Sequence, residues 1–223
     1  MGEAIGQILP TAVGVAISPL PIVAVVLMLV TPRGQVNGAA FVLGWMLGLA
    51  IVGAIVLSVA SGANASDDGE PATWVSVLKL ALGVLALLLG VRQFRSRPRG
   101  DAQPEAPKWM RALDTFTPVR AAAVAVAMSA VNPKNLLLAI AGAVAIAQTG
   151  IAAGEQAVAW AVFVVIATVG VALPVAIAFV MGARSRELLD DLKTWLSQNN
   201  AVIMAVLLIV IGAKLIGDAI SGF

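Results

Sequence analysis

Six apolar runs divide the chain, at residues 4–30, 37–62, 72–94, 118–148, 156–181 and 198–220. Each is long enough to supply the ~20 residues that a bilayer-spanning helix needs. None alternates apolar and polar positions with period two, so the pattern predicts helices and not barrel strands. Polar stretches separate the runs: TPRGQVN, SGANASDDGEP, the long RQFRSRPRGDAQPEAPKWMRALDTF, QTGIAAGEQ and GARSRELLDDLKTWLSQNN. The expected fold is an all-α polytopic membrane protein with six transmembrane helices.

Two runs carry an interruption. The first contains Ser18-Pro19-Leu20-Pro21, and the fourth contains Asn132-Pro133-Lys134-Asn135. Each lies roughly 20 Å along its span at about 1.5 Å per residue, hence near the bilayer midplane. Proline removes a backbone donor and clashes with the preceding turn. Both spans are therefore expected to break, with new half-helices starting near Ile22 and Leu136. Lipid offers no partner to the freed backbone groups, so the breaks must face protein or a wet cavity.

The long polar stretch leaves three spans on either side. The organisation expected is 1–91 as a first three-helix repeat, 92–117 as a basic linker and 118–223 as a second repeat. Three is odd, so the halves have opposite topology. They also correspond in order: Pro19 and Pro133 are 114 residues apart, and Trp45 and Trp160 are 115 apart. An inverted repeat with helices 1 and 4 broken near the midplane follows. Within the linker, PKWMRALDTF reads either as a short interfacial helix or as an ordinary charged loop.

Charge sets the orientation. Arg33, Arg92, Arg95, Arg97, Arg99, Lys108, Arg111, Arg120, Arg184, Arg186 and Lys193 all fall on one set of alternate loops, eleven of the fourteen basic residues. The other set and both ends carry Glu3, Asp67, Asp68, Glu70, Glu155 and Asp218 instead. The positive-inside rule then puts both termini outside the cytoplasm, in the plasma (inner) membrane of a bacterium. Glu3 stands where a signal peptide would carry a base, so the first run reads as a retained span. GARSRELLDDLKTW reads as a solvated cytoplasmic connector.

Composition narrows the chemistry. The chain is 60% apolar and 12% charged, with mean hydropathy +0.98, whereas soluble domains are about a quarter charged. It has no cysteine and no histidine. Disulfides, thiol redox chemistry and the commonest metal ligand and general base are excluded. No Asp or Glu falls in the middle of a span. An enzyme is the least favoured reading, no cofactor is called for, and nothing points to nucleic acid.

The three remaining bases, Lys79, Lys134 and Lys214, lie inside spans. Lys134 is the sharpest, because an ionisable residue at mid-depth costs at least ~2.5–3.5 kcal/mol on insertion scales. Two half-helix N-termini plus Lys134 would make a cationic pocket. Alternatively, its ammonium caps carbonyls freed on the facing broken helix. Lys79 and Lys214 either snorkel outward or extend a positive path from the midplane; Lys214 also has Asp218 one turn on, which reads as a helix-end pair. The candidate binding residues are Ser18, Pro19, Pro21, Asn132, Pro133, Lys134, Asn135, Lys79 and Lys214. Gly44 and Gly48, one turn apart, read as a close-packing face. Thr168 reads as bonded back to its own helix.

A six-span chain with SPLP in the first span and NPKN in the fourth resembles the LysE superfamily of exporters. Within it, the chain is most similar to the GAP family of mycobacteria and other actinobacteria, small membrane proteins linked to moving glycopeptidolipid or sulfolipid to the cell surface. The resemblance implies export of a lipid or lipid-linked molecule, with Ser18, Pro19, Pro21, Asn132, Pro133, Lys134 and Asn135 as motif positions. The superfamily's thiol-redox role fails here for want of cysteine.

Three functions are therefore carried forward. The first is a transporter or flippase moving an anionic lipid or glycolipid, motivated by the midplane cation. The second is an exporter of amino acids or other small solutes. The third is a non-transporting scaffold of a lipid-synthesis or export complex. The glycine faces suit a homodimer. A lateral opening between spans would favour lipid, and a closed aqueous cavity would favour a solute.

Overall fold

The computed structural model describes residues 1–62, 66–67, 70–71, 73–95 and 116–222. Linker residues 96–115, with nearly all of the interfacial-helix reading at 107–116, lie outside the described residues. The elements run α1 (Gly2–Ala16), α2 (Pro19–Leu29), α3 (Gly34–Gly62), a two-residue hairpin ladder β1 (Ser66–Asp67) and β2 (Glu70–Pro71), α4 (Thr73–Arg95), α5 (Pro118–Ala130), α6 (Pro133–Ala147), α7 (Ala153–Met181) and α8 (Ser185–Ile220). Among the described residues, four helices are long and apolar enough to cross a membrane: α3, α4, α7 and α8. The pairs α1–α2 and α5–α6 bend by 50° and 63° at short breaks, and six spans result if each bent pair counts as one.

The breaks are tighter than the sequence suggested. Only Ile17–Ser18 and Val131–Asn132 leave the helix, and the new half-helices start at Pro19 and Pro133, not three residues later. Proline is well suited to the first helical position, where its missing N–H would lack a partner anyway and its fixed φ already matches the helix. Asn132 completes the second start by accepting the Lys134 backbone N–H at 3.1 Å.

One boundary differs outright. The stretch after Met181 is a single turn of 3-10 helix, Gly182–Arg184, that runs straight into α8. The expected connector is helical from Ser185, making α8 36 residues long. At about 1.5 Å per residue this is about 54 Å, well beyond a ~30 Å hydrocarbon core. Leu189 and Leu196 sit on one face of the extension and are buried, which is why it holds as helix. Gly182 makes the corner after α7 with φ of 55°, a value that favours glycine.

Packing runs mainly between the two halves of the chain. The most extensive contacts are α4 on α8 and α3 on α5, followed by α1 on α6 and α7. The Gly44–Gly48 face does serve close approach. A Cβ on Gly44 would strike the Ala122 backbone, and one on Gly48 would strike the Ser129 hydroxyl. Two tryptophans tie α3 and α7 reciprocally. Trp45 Nε1 donates to the Ala167 carbonyl at 3.2 Å, and Trp160 Nε1 donates to the Leu49 carbonyl at 3.2 Å. Thr168 bonds back to Val164 of its own helix at 2.6 Å.

Candidate functional site

The two breaks meet, and their polar residues bond each other. Lys134, in the first turn of α6, is 4% exposed. Its Nζ donates to the Gly14 carbonyl at 2.5 Å and to Ser18 Oγ at 2.7 Å. Ser18 Oγ in turn donates to Asn135 Oδ1 at 2.7 Å. Asn135 Nδ2 donates to the Met128 carbonyl at 3.0 Å. A directional chain of hydrogen bonds thus links α1, the first break, α6 and α5.

The backbone explains why these acceptors exist. Helix α1 stops at Ala16, so its last carbonyls lose their i+4 donors. Gly14 C=O is one of these and takes the lysine ammonium. The C-terminal end of a helix carries about half a negative charge, so a cation is favoured there. Met128 lies in the last turn of α5 and takes the Asn135 amide in the same way. Lys134 therefore caps the facing broken helix, the alternative to an open cationic pocket. Among the described residues it has no carboxylate partner; the ion pairs there are Lys193–Asp190 and Lys214–Asp218.

The other candidates divide. Pro19 and Pro21 are buried and set the start of α2. Pro133 is exposed and Asn132 half-buried, and they build the start of α6. Lys214 pairs with Asp218 one turn on, as a helix-end pair would. Lys79 is buried on α4, 5% exposed, where the charges of Asp218 and Lys214 on α8 act on it. No hydrogen bond among the described residues joins either lysine to the Lys134 chain.

Sequence reasoning missed the backbone partners Gly14 and Met128, which carry no side-chain signal. It also missed Gly170. Helix α7 passes so close to the end of α1 that a Cβ on Gly170 would overlap the Ala16 carbonyl oxygen. Backbone cannot retreat as a side-chain tip can. Gly170→Ala is expected to destabilise by about 1–3 kcal/mol through overpacking, read as a lower unfolding temperature in detergent. An unchanged midpoint would show that α1 yields freely at its end.

Beside the second break lies a shallow surface groove of about 350 Å³, lined by Val124, Ala127, Met128, Val131 and Asn132. Its wall is apolar apart from Asn132. One of its residues belongs to the polar chain, Met128 through its carbonyl, and Asn132 adjoins that chain by accepting the Lys134 backbone N–H.

Apolar helices of spanning length and a polar junction between two broken ones define a multi-pass helical membrane protein. The chain belongs to the family of Sap, sulfolipid-1-addressing protein, whose family model matches residues 8–221. This is the kind of lipid-addressing family to which the SPLP and NPKN motifs pointed. No curated protein and no solved structure is significantly similar to the chain.

Proposed function

We propose that the protein is a carrier, not an enzyme, that moves an anionic lipid or glycolipid toward the surface of a bacterial cell across the plasma membrane. One observation carries this reading: a buried lysine at mid-span, held by a carbonyl and a hydroxyl, with no carboxylate to neutralise it among the described residues. Only the partial charge at the end of α1 and the Ser18 hydroxyl face it, and an acidic head group would complement it more fully. The family's description names a sulfolipid, and a sulfate ester has that chemistry. The shallow surface groove supports lipid over a small solute, because acyl chains can stay in the bilayer while the head group reaches the junction.

In this proposal the two halves are inverted repeats, each running short helix, short helix, long helix, long helix. The 114- and 115-residue offsets and the reciprocal tryptophan bonds support the symmetry. Both termini face outward, by the asymmetry of Arg and Lys among the loops. The capped arrangement is the resting state. An anionic head group replaces Gly14 C=O and Ser18 as partner of the ammonium, and the freed breaks then act as hinges. A ligand shifts such an equilibrium only by its differential affinity for the two states, and here that difference is charge.

The test is a scramblase-type assay with the purified protein in liposomes, using fluorescent sulfated or phosphorylated lipids beside a zwitterionic analogue. Faster translocation of the acidic lipids than in protein-free vesicles supports the proposal. Translocation at the protein-free rate, together with loss of surface lipid on deletion in cells, would favour the scaffold reading. Movement of amino acids without lipid would favour the solute exporter.

A further inference from the structure

A second groove, of about 480 Å³, runs along α4 and is lined by Val84, Leu87, Leu88, Val91, Arg92 and Arg95. The spacing follows one helical face, so the six side chains form a single stripe. Val84, Leu88 and Val91 are 45%, 64% and 45% exposed, an apolar surface suited to lipid. Both arginines are exposed at the end of the stripe, and among the described residues neither has an ion-pair partner. From Val84 to Arg95 the stripe covers about 16 Å of helix axis, at about 1.5 Å per residue. One leaflet of hydrocarbon is about 15 Å deep, half of the ~30 Å core.

We propose that this stripe is a binding site for an acidic phospholipid of the cytoplasmic leaflet, separate from the Lys134 junction. The acyl chain lies along Val84, Leu87, Leu88 and Val91, and the phosphate is held by Arg92 and Arg95. Three facts converge on that occupant. Its apolar part, from Val84 to Val91, covers about 10 Å of helix axis and fits within the ~15 Å of hydrocarbon in one leaflet. Its apolar part ends where the charge begins, as a lipid does. Its charge is carried by two guanidiniums a single turn apart, whose forked donors match phosphate oxygens. The leaflet follows from the clustering of Arg and Lys on the loops that include Arg92 and Arg95. The site does not depend on transport, so a protein that moves no lipid would still carry it.

The experiment is native mass spectrometry of the full-length protein extracted from vesicles of equal phosphatidylglycerol and phosphatidylcholine. The wild type is expected to retain phosphatidylglycerol through delipidation. Arg92→Gln with Arg95→Gln is expected to weaken retention about thirtyfold, at roughly tenfold per 1.4 kcal/mol and about one such step for the two charges combined plus half again. Arg92→Lys with Arg95→Lys keeps the charge without the fork and is expected to restore part of it, which separates charge from misfolding. Arg184→Gln with Arg186→Gln, at a corner without this stripe, is expected to change nothing. Leu88→Trp is expected to reduce retention with both arginines intact. Equal retention of the two lipids, or retention unaffected by the double glutamine change, would overturn the proposal. So would a photo-crosslinker at Leu88 that marks the protein's own chain and no lipid.

Discussion

Replacing Lys134 with methionine is expected to abolish translocation of the anionic lipid while leaving the protein folded and inserted. Two opposed terms decide the second half of that statement. The change removes two hydrogen bonds from a charged donor, to Gly14 C=O and Ser18 Oγ, worth about 1.5–3 kcal/mol each. It also removes the cost of holding an ammonium in the bilayer, about 2.5–3.5 kcal/mol on insertion scales. The second term offsets much of the first, and methionine keeps the length and packing of the side-chain stem. A loss of up to about 3.5 kcal/mol is expected from that balance, read as a fall in unfolding temperature. Transport does not cancel in this way, because no other buried cation among the described residues touches the junction. Lys134→Arg keeps the charge in a larger, planar group and is expected to restore part of the rate. Full activity of the methionine variant in liposomes would rule out the charge as the element that recognises substrate.

Asn135→Leu is expected to give the largest stability loss of any single change at the junction. Asn135 is fully buried and bonds in both directions, accepting from Ser18 and donating to Met128. Leucine fills the space but leaves the Ser18 O–H without an acceptor, although Ser18 Oγ still accepts from Lys134, and leaves the Met128 carbonyl without its donor. Each buried unsatisfied group costs about 1–3 kcal/mol, so about 2–6 kcal/mol is expected. The protein should then extract poorly and lose its monodisperse peak in size-exclusion chromatography. Asn135→Asp separates fold from function more finely. It keeps an acceptor for Ser18, loses the donor to Met128, and adds a carboxylate one hydroxyl away from the Lys134 ammonium. That carboxylate competes with an anionic substrate for the same cation. Transport is expected to fall far more than stability does. A folded Asn135→Asp protein moving acidic lipid at the wild-type rate would remove the electrostatic basis of the proposed function.

Much of the fold was legible because bilayer helices obey a simple rule. A continuous apolar run must satisfy its own backbone, so run lengths predicted helices closely. The runs 37–62 and 72–94 became α3 (Gly34–Gly62) and α4 (Thr73–Arg95) with small shifts at their ends. The proline motifs located both breaks, since proline acts on its own turn. The error at α8 has the same logic in reverse. Arg, Glu, Asp and Lys in 185–193 looked like loop, but Leu189 and Leu196 bury against neighbours that no local pattern reveals.

The junction was legible in part. Ser18, Lys134 and Asn135 stood out as polar residues in apolar runs, and all three sit in one hydrogen-bond chain. Lys79 and Lys214 stood out for the same reason and lie elsewhere. A buried lysine looks the same in sequence whether it meets a substrate, a carbonyl or a neighbouring aspartate. Gly14, Met128 and Gly170 could not be found, because the first two act through backbone oxygens and the third through the absence of a Cβ.

The sequence alone determined most of the helical segments and where two of them break. Those are decided by hydropathy and by proline, each acting within a few residues. The tertiary structure alone decided what the Lys134 ammonium touches, because its partners Gly14 and Ser18 are 120 and 116 residues away. That pairing exists only because α1 ends against α6, where a helix that runs out of donors meets a lysine that no acid pairs with among the described residues.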